Sequence, residues 1–232
     1  MRLVPRRYRG FEHLDDPAVG PALRERSLRD VRRANTLLGG SWAVLSEVRR
    51  LLPSLPPDAT LLDVGTGLAD IPVRARRLAH GRGVRLVTIG VDEAASLARV
   101  SAGLLDASVC ADARRLPFAD ASVDVVTCSQ VLHHFVDDEI PQVLAELSRV
   151  ARRAVIVSDL RRSWLAVAGF WLSTWPLGFH PVSRHDGCTS VLRGFTADEL
   201  RRHACVVGQC ASVRRHPGFR LTATWSPAPR TP

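Results

Sequence analysis

The chain has 232 residues, 46% of them hydrophobic and 24% charged, which fits one globular domain with a sizeable core. Its formal net charge is +9 and all 32 basic residues are arginine, scattered in pairs such as Arg6-Arg7, Arg32-Arg33, Arg49-Arg50 and Arg161-Arg162, which suits solvated helix faces better than a nucleic-acid groove. Five cysteines without a Cys-x-x-Cys pair disfavour zinc and disulfide frameworks, so no metal site and a cytoplasmic setting are expected, and Met1-Arg2-Leu3-Val4-Pro5-Arg6 lacks the apolar core of a signal peptide.

Residues 1–20 carry prolines and charges without a period and read as an extended arm. From Pro21, Leu23, Leu28 and Val31 fall at helical spacing, with Ser27-Leu28-Arg29-Asp30 as a candidate capping box. Gly39-Gly40 breaks that helix. Trp42, Val44, Leu45, Val48, Leu51 and Leu52 mark a second amphipathic helix, ended by Pro53-Ser54-Leu55-Pro56-Pro57. Residues 1–57 therefore read as an arm and two cap helices, with Asn35 a contact candidate, and 58–227 as the main domain.

The main domain opens on Thr60-Leu61-Leu62-Asp63-Val64-Gly65-Thr66-Gly67-Leu68-Ala69-Asp70, a buried strand running through glycines into a helix over 71–79. In α/β proteins such a turn cradles a cofactor, because glycine permits unusual backbone angles and close approach. The spacing departs from the dinucleotide fingerprint: Asp70 stands at the last glycine position. Carboxylates at Asp63 and Asp70 suit a cationic ligand better than a pyrophosphate.

Val84–Val91 is the second strand, ending at Asp92, where an acid can meet ribose hydroxyls or cap the following helix over 93–103. The strand Ala107–Cys110 ends in Ala111-Asp112-Ala113, with Leu116-Pro117-Phe118 beyond, and an acid there can accept from an adenine amino group. A central strand over 121–128 runs through Ser129-Gln130 to Leu132-His133-His134-Phe135. A helix over 140–152 leads to a fifth strand, Ala154–Val157, ending at Ser158-Asp159. Four strand ends thus carry acids in series: Asp63, Asp92, Asp112 and Asp159.

The Asp-x-Gly-x-Gly turn, the Asp-Ala with Leu-Pro-Phe and the central strand ending in Leu-His-His, in that order over about 58–160, resemble the class I S-adenosylmethionine (SAM)-dependent methyltransferases, nearest to the ubiquinone/menaquinone-biosynthesis type. Ala69 and Val123 depart from the usual glycine and phenylalanine. The resemblance implies an α/β, Rossmann-like, seven-stranded and mostly parallel sheet with a C-terminal antiparallel strand pair and helices on both faces. It also implies SAM as cofactor. The roles it carries are Asp63, Gly65, Thr66 and Gly67 at the methionine part, Asp92 at the ribose, Asp112 and Ala113 at the adenine, and Ser129 and Gln130 near the donor end.

Residues 161–195 read as a helical insertion. Trp164–Phe179 is apolar and holds three of the five tryptophans, but is shorter than the ~20 residues a bilayer span needs. It reads either as a core helix or as a lid over the acceptor. Ser183-Arg184-His185-Asp186-Gly187 reads as a polar turn, Thr196-Ala197-Asp198-Glu199 as a capping box, and 206–215 and 219–225 as a closing strand pair.

A methyl acceptor with a hydroxyl or acidic carbon needs a base, and His133, His134 and His185 are equal candidates. Asp159, Trp171, Trp175, Arg184 and Asp186 are the substrate-side candidates. The expected acceptor is a small apolar molecule (phenol, quinol, polyketide or lipid-like compound), as in secondary metabolism. Peripheral membrane contact is compatible with the chain, nucleic acid is disfavoured and no oligomeric state is assigned. An RNA methyltransferase and a non-catalytic SAM-binding or partner-binding protein are the alternatives. Cys128-Ser129-Gln130-Val131 lacks the Pro-Pro-aromatic motif of amino-group DNA enzymes, and no Pro-Cys dipeptide occurs.

Overall fold

The apolar run at Leu61–Val64 becomes the middle of a sheet. A computed structural model describes residues 4–16, 18–208 and 210–228. Strand β1 (Asp58–Val64) lies between β2 (Arg85–Asp92) and β4 (Val123–Ser129), parallel to both. With β3 (Ala107–Cys110), β5 (Ala151–Leu160), β6 (Ser212–His216) and β7 (Arg220–Trp225), the order is β3-β2-β1-β4-β5-β7-β6. Strand β7 pairs antiparallel with both β5 and β6, which is the expected closing pair. After β3 the chain crosses β1 to start β4, so the winding reverses between β1 and β4. Ligands bind at the carboxyl ends of strands at such a switch point.

The helices are α1 (Pro21–Leu37), α2 (Gly40–Leu51), α3 (Asp70–His80), α4 (Ala95–Ala102), α5 (Ile140–Val150), α6 (Trp164–Thr174), α7 (Pro181–Arg193) and α8 (Ala197–Val206). Side chains alternate across the sheet. Leu62, Val64, Val126, Leu144, Leu147 and Leu200 build the core on the α5 and α8 face. Leu61, Val125, Ile156, Val44, Val48, Ile71 and Ala75 build the core on the α2 and α3 face. With both faces covered, β1 and β4 carry near-continuous apolar runs.

Three local expectations are corrected. Ser27-Leu28-Arg29-Asp30 is not a helix start but lies inside α1, because the helix already begins at Pro21, where a missing N–H costs nothing. Ser27 and Asp30 instead fasten α7: Ser183 Oγ donates to Ser27 Oγ at 3.0 Å and the His180 N–H to Asp30 Oδ2 at 3.0 Å. Residues 183–187 are not a turn but the interior of α7, whose start is set by Pro181 and by His180 Nδ1 accepting from the Val182 N–H. The strand expected over 206–215 is helical to Val206 and extended only from Ser212. The Thr196 capping box is present in both directions, at 3.2 Å and 2.8 Å.

The arm folds back along α7. The Tyr8 N–H donates to Leu192 O at 3.1 Å, and the Arg7 guanidinium stands 4.2 Å above the Phe195 ring. Glu12 is buried and accepts from Ser190 Oγ at 2.9 Å and Arg193 at 3.0 Å.

Candidate active site

A cleft of about 320 Å³ opens at the carboxyl ends of β1, β2 and β4, with α1 along one wall. Its floor is the glycine turn. Gly65 is in the left-handed region (φ +71), and a Cβ there would stand 2.2 Å from Val131 Cγ2, so conformation and space both demand glycine. Gly67 (φ +53) has open space where a Cβ would sit. Val91 O accepts from the N–H groups of Gly65 and Thr66 at 2.8 and 2.9 Å, which stitches the turn to β2.

Four acidic residues line the cleft, Asp63, Asp70, Asp92 and Glu93, and two of them brace its floor. Asp92 Oδ2 accepts from the Gly67 N–H at 2.9 Å and Oδ1 from the Ala94 N–H at 3.0 Å, so one side chain both braces the turn and caps the approach to α4. Burial raises its pKa against those two hydrogen bonds. Asp63 is fully enclosed, and burial pushes its carboxyl up to about 7 although Thr127 Oγ1 donates to it at 2.6 Å.

At the far end, Ser129 Oγ is buried without a hydrogen-bond partner. Gln130 adopts φ +57, and its side chain joins two distant elements. Its Oε1 accepts from Arg220 Nη1 at 2.8 Å, and its Nε2 donates to Asn35 Oδ1. Burial lowers Arg220 to about 10, which leaves it charged at neutral pH. Arg220 escaped the sequence reading; its one signal is an arginine at the head of the apolar strand Arg220–Trp225.

Residues 62–157 match the family model described as a methyltransferase domain. Residues 62–157 are a class I SAM-dependent methyltransferase domain. Its fold is shared with solved enzymes. A SAM-dependent methyltransferase from Aquifex aeolicus superposes with TM-score 0.54 at 14% identity, over 78% of this chain and 89% of that one. Magnesium protoporphyrin IX methyltransferase from Synechocystis, with bound SAM, gives 0.57 at 11%, over 93% and 88%. The plantazolicin methyltransferase BamL, in complex with an analog and SAH, gives 0.65 at 13%, over 88% and 90%. No curated protein matches the chain.

SAM is the methyltransferase's cofactor, and the cleft fits it. Glycines without Cβ atoms permit close approach, the buried Ser129 hydroxyl has no partner in the protein, and the carboxyls of Asp63, Asp70, Asp92 and Glu93 suit a cation.

The remaining sequence candidates fall into separate groups. Ala113 lines the cleft, but Asp112 does not. The Asp112 carboxylate is held by Arg114 at 2.7 Å, and Arg114 is held in turn by Glu139 at 2.6 Å. Hydrogen bonds from Arg114 keep Asp112 below the usual carboxylate range.

His134 and Phe135 line the cleft, and the His134 ring centroid is 4.3 Å from that of buried His133. His133 Nδ1 is 2.7 Å from Asp159 Oδ1, and its N–H donates to Asp159 Oδ2 at 3.1 Å. The methyltransferase thus brings His133, His134 and Asp159 together beside the cleft, with a Glu12 carboxylate oxygen within 4.8 Å of both rings' nitrogens.

His185 and Asp186 do not line the cleft. Asp186 is buried and taken up by the arm: it accepts from the N–H groups of His13 and Leu14 at 2.9 and 3.0 Å, and lies 3.1 Å from His185 Nδ1. Trp171, Trp175 and Arg184 are also absent from the lining, as is every other α6 residue. Helix α6 fully buries Ala166 and Thr174, half-buries Val167 and Phe170 against the fold, and leaves its tryptophans and leucines outward. Its tryptophans thus lie outside both the core and the cleft lining.

Proposed function

We propose that this methyltransferase methylates a hydroxyl or acidic carbon of a small, largely apolar acceptor (a phenol, quinol, polyketide or lipid-like compound) that enters beside His134. The observation supporting this is the stacked pair His134–His133, backed by the buried Asp159 carboxylate, at the end of the cleft bounded by Val131 and Phe135.

SAM supplies the methyl group as a cationic methyl sulfonium. Asp63 and the glycine turn hold the methionine part, Asp92 the ribose hydroxyls, and Ala113 the adenine. The Asn35–Gln130–Arg220 chain keeps Gln130 and Ser129 fixed at the donor end. An imidazole nitrogen of His134 takes the proton from the acceptor as its oxygen or carbon becomes nucleophilic. With Asp159 below the usual carboxylate range, its ionised oxygen accepts from His133 Nδ1–H, and His133 is locked as the platform under His134. Fixing these groups removes orientational freedom from the reaction, worth several kcal/mol, on the order of the effective-molarity gain.

The test is a methylation assay with labelled SAM over a panel of phenols, quinols, polyketides and long-chain acceptors. His134→Gln is expected to lower kcat by about 10²–10⁴ with SAM affinity unchanged, the usual contribution of a general base. Turnover on structured RNA with none on the panel would reject this acceptor class.

A further inference from the structure

Helix α6 and its C-terminal end present an exposed apolar face that no other helix or strand covers among the described residues. Trp164, Leu165, Trp171, Leu172 and Trp175 are 47%, 68%, 45%, 62% and 56% exposed. They recur at helical spacing, so they form one continuous stripe rather than scattered surface residues. No charged residue occurs between Arg162 and Arg184.

The rim of this stripe is basic. Arg33 and Arg26 on α1 reach the backbone that leaves α6, donating to Leu177 O and Gly178 O at 3.5 Å each. Arg29 stands in the same row but is paired with exposed Glu25 one turn away at 2.5 Å, so among the described residues the row's unpaired charge rests on Arg26 and Arg33. Asp30 between them is buried and accepts from the His180 N–H, so it adds no exposed charge. At the end of α6, the Arg184 guanidinium lies 4.0 Å over the Trp175 ring.

We infer that the α6 face, with the arginine row of α1, docks on an anionic lipid bilayer as a helix lying in the membrane interface. Tryptophan and leucine on one side with arginines at the margin is the composition of such a helix, since the rings sit at headgroup level and the guanidiniums meet lipid phosphates. No helix among the described residues is long and apolar enough to cross a membrane, so the contact is peripheral. A second copy is the poorer occupant. Pairing two such faces brings two arginine rims together on chains that each carry a net +9, whereas an anionic surface neutralises them.

Helix α1 carries Arg26, Arg29 and Arg33 beside α6 and lines the cleft with Leu28, Val31 and Asn35. The inference is independent of the acceptor class, because binding is read without turnover.

The experiment is vesicle flotation of the full chain on phosphatidylcholine alone and on phosphatidylcholine with phosphatidylglycerol, with tryptophan emission recorded. The protein is expected to float with the anionic vesicles, shift its emission to the blue, and release at high salt. Leu165→Asp with Leu172→Asp is expected to abolish flotation. Arg26→Glu with Arg33→Glu is expected to weaken it at least about tenfold, on the scale of one surface arginine's attraction per residue. Both variants should retain wild-type circular dichroism and SAH binding. Equal absence of flotation on both vesicles would overturn the inference, as would flotation insensitive to Leu165 and Leu172. So would a dimer without vesicle binding that Leu172→Asp converts to monomer.

Discussion

His133 Nδ1 stands 2.7 Å from Asp159 Oδ1, with both side chains out of contact with water. Burial acts to raise Asp159, but the charge and hydrogen bond of His133 outweigh it, and the net direction is down. A carboxyl lowered on folding contributes stability at pH values above its unfolded pKa, about 3.9. That stability is lost as pH falls through the folded value. Asp159→Ala leaves the His133 ring and N–H unpaired in the interior, and should cost about 3–5 kcal/mol in urea unfolding at pH 7. The difference from wild type should shrink below pH 4, in the acid range set by about 3.9. A loss that is the same at all pH values would reject the charged form of this contact.

Asp63 behaves oppositely. Its carboxyl is raised to about 7 by burial, so the folded protein holds a proton that the unfolded chain releases. Stability of the free enzyme should therefore fall as pH rises from about 4, the unfolded value, towards 7. Asp63→Asn should flatten that slope. A cationic ligand favours the carboxylate, so SAM binding near neutral pH should release a proton and tighten from pH 6 to pH 8. Calorimetry in two buffers of different ionisation enthalpy reads the proton directly, and equal heats in both would refute it.

Asp92 accepts two backbone N–H groups and borders the cleft. Asp92→Ala should weaken SAM and SAH binding by ~1–3 kcal/mol, the cost of lost hydrogen bonds to a charged group. Some melting temperature should be lost as well, since Gly67 and Ala94 lose their acceptor. Asp92→Asn separates the two effects, because its amide oxygen can still accept from one N–H. Unchanged affinity in both variants would remove Asp92 from the cofactor site.

Trp171 makes an edge-to-face contact with Trp175, centroids 5.6 Å apart, but is nearly half exposed. Trp171→Ala should cost about 1 kcal/mol, the scale of one aromatic pair. A buried aromatic would instead lose about 3–5 kcal/mol. Thermal melts decide between them, and a loss of the larger size would put Trp171 in the core.

The sequence by itself determined the strand–glycine–helix turn at Asp63–Asp70, the succession of strands and helices as far as β5, and the closing strand pair. These follow from local physics: side-chain period, the backbone freedom of glycine and the capping of Thr196 by Glu199. Even the departure at Ala69 was local, and the residue takes the left-handed conformation (φ 58) that the usual glycine would adopt.

Tertiary structure decided everything that joins residues far apart in the chain. Asp112 and Asp159 looked alike at strand ends, yet one turned to a neighbouring arginine and the other to a histidine across β4 and β5. Gln130 met Asn35 and Arg220, which are 95 and 90 residues away, because α1 and β7 pack on either side of it. The direction of α6 was equally hidden. A helix that is apolar all round has no sequence period to say which face meets water. Only the packing of Ala166, Val167, Phe170 and Thr174 against the fold turned its tryptophans outward.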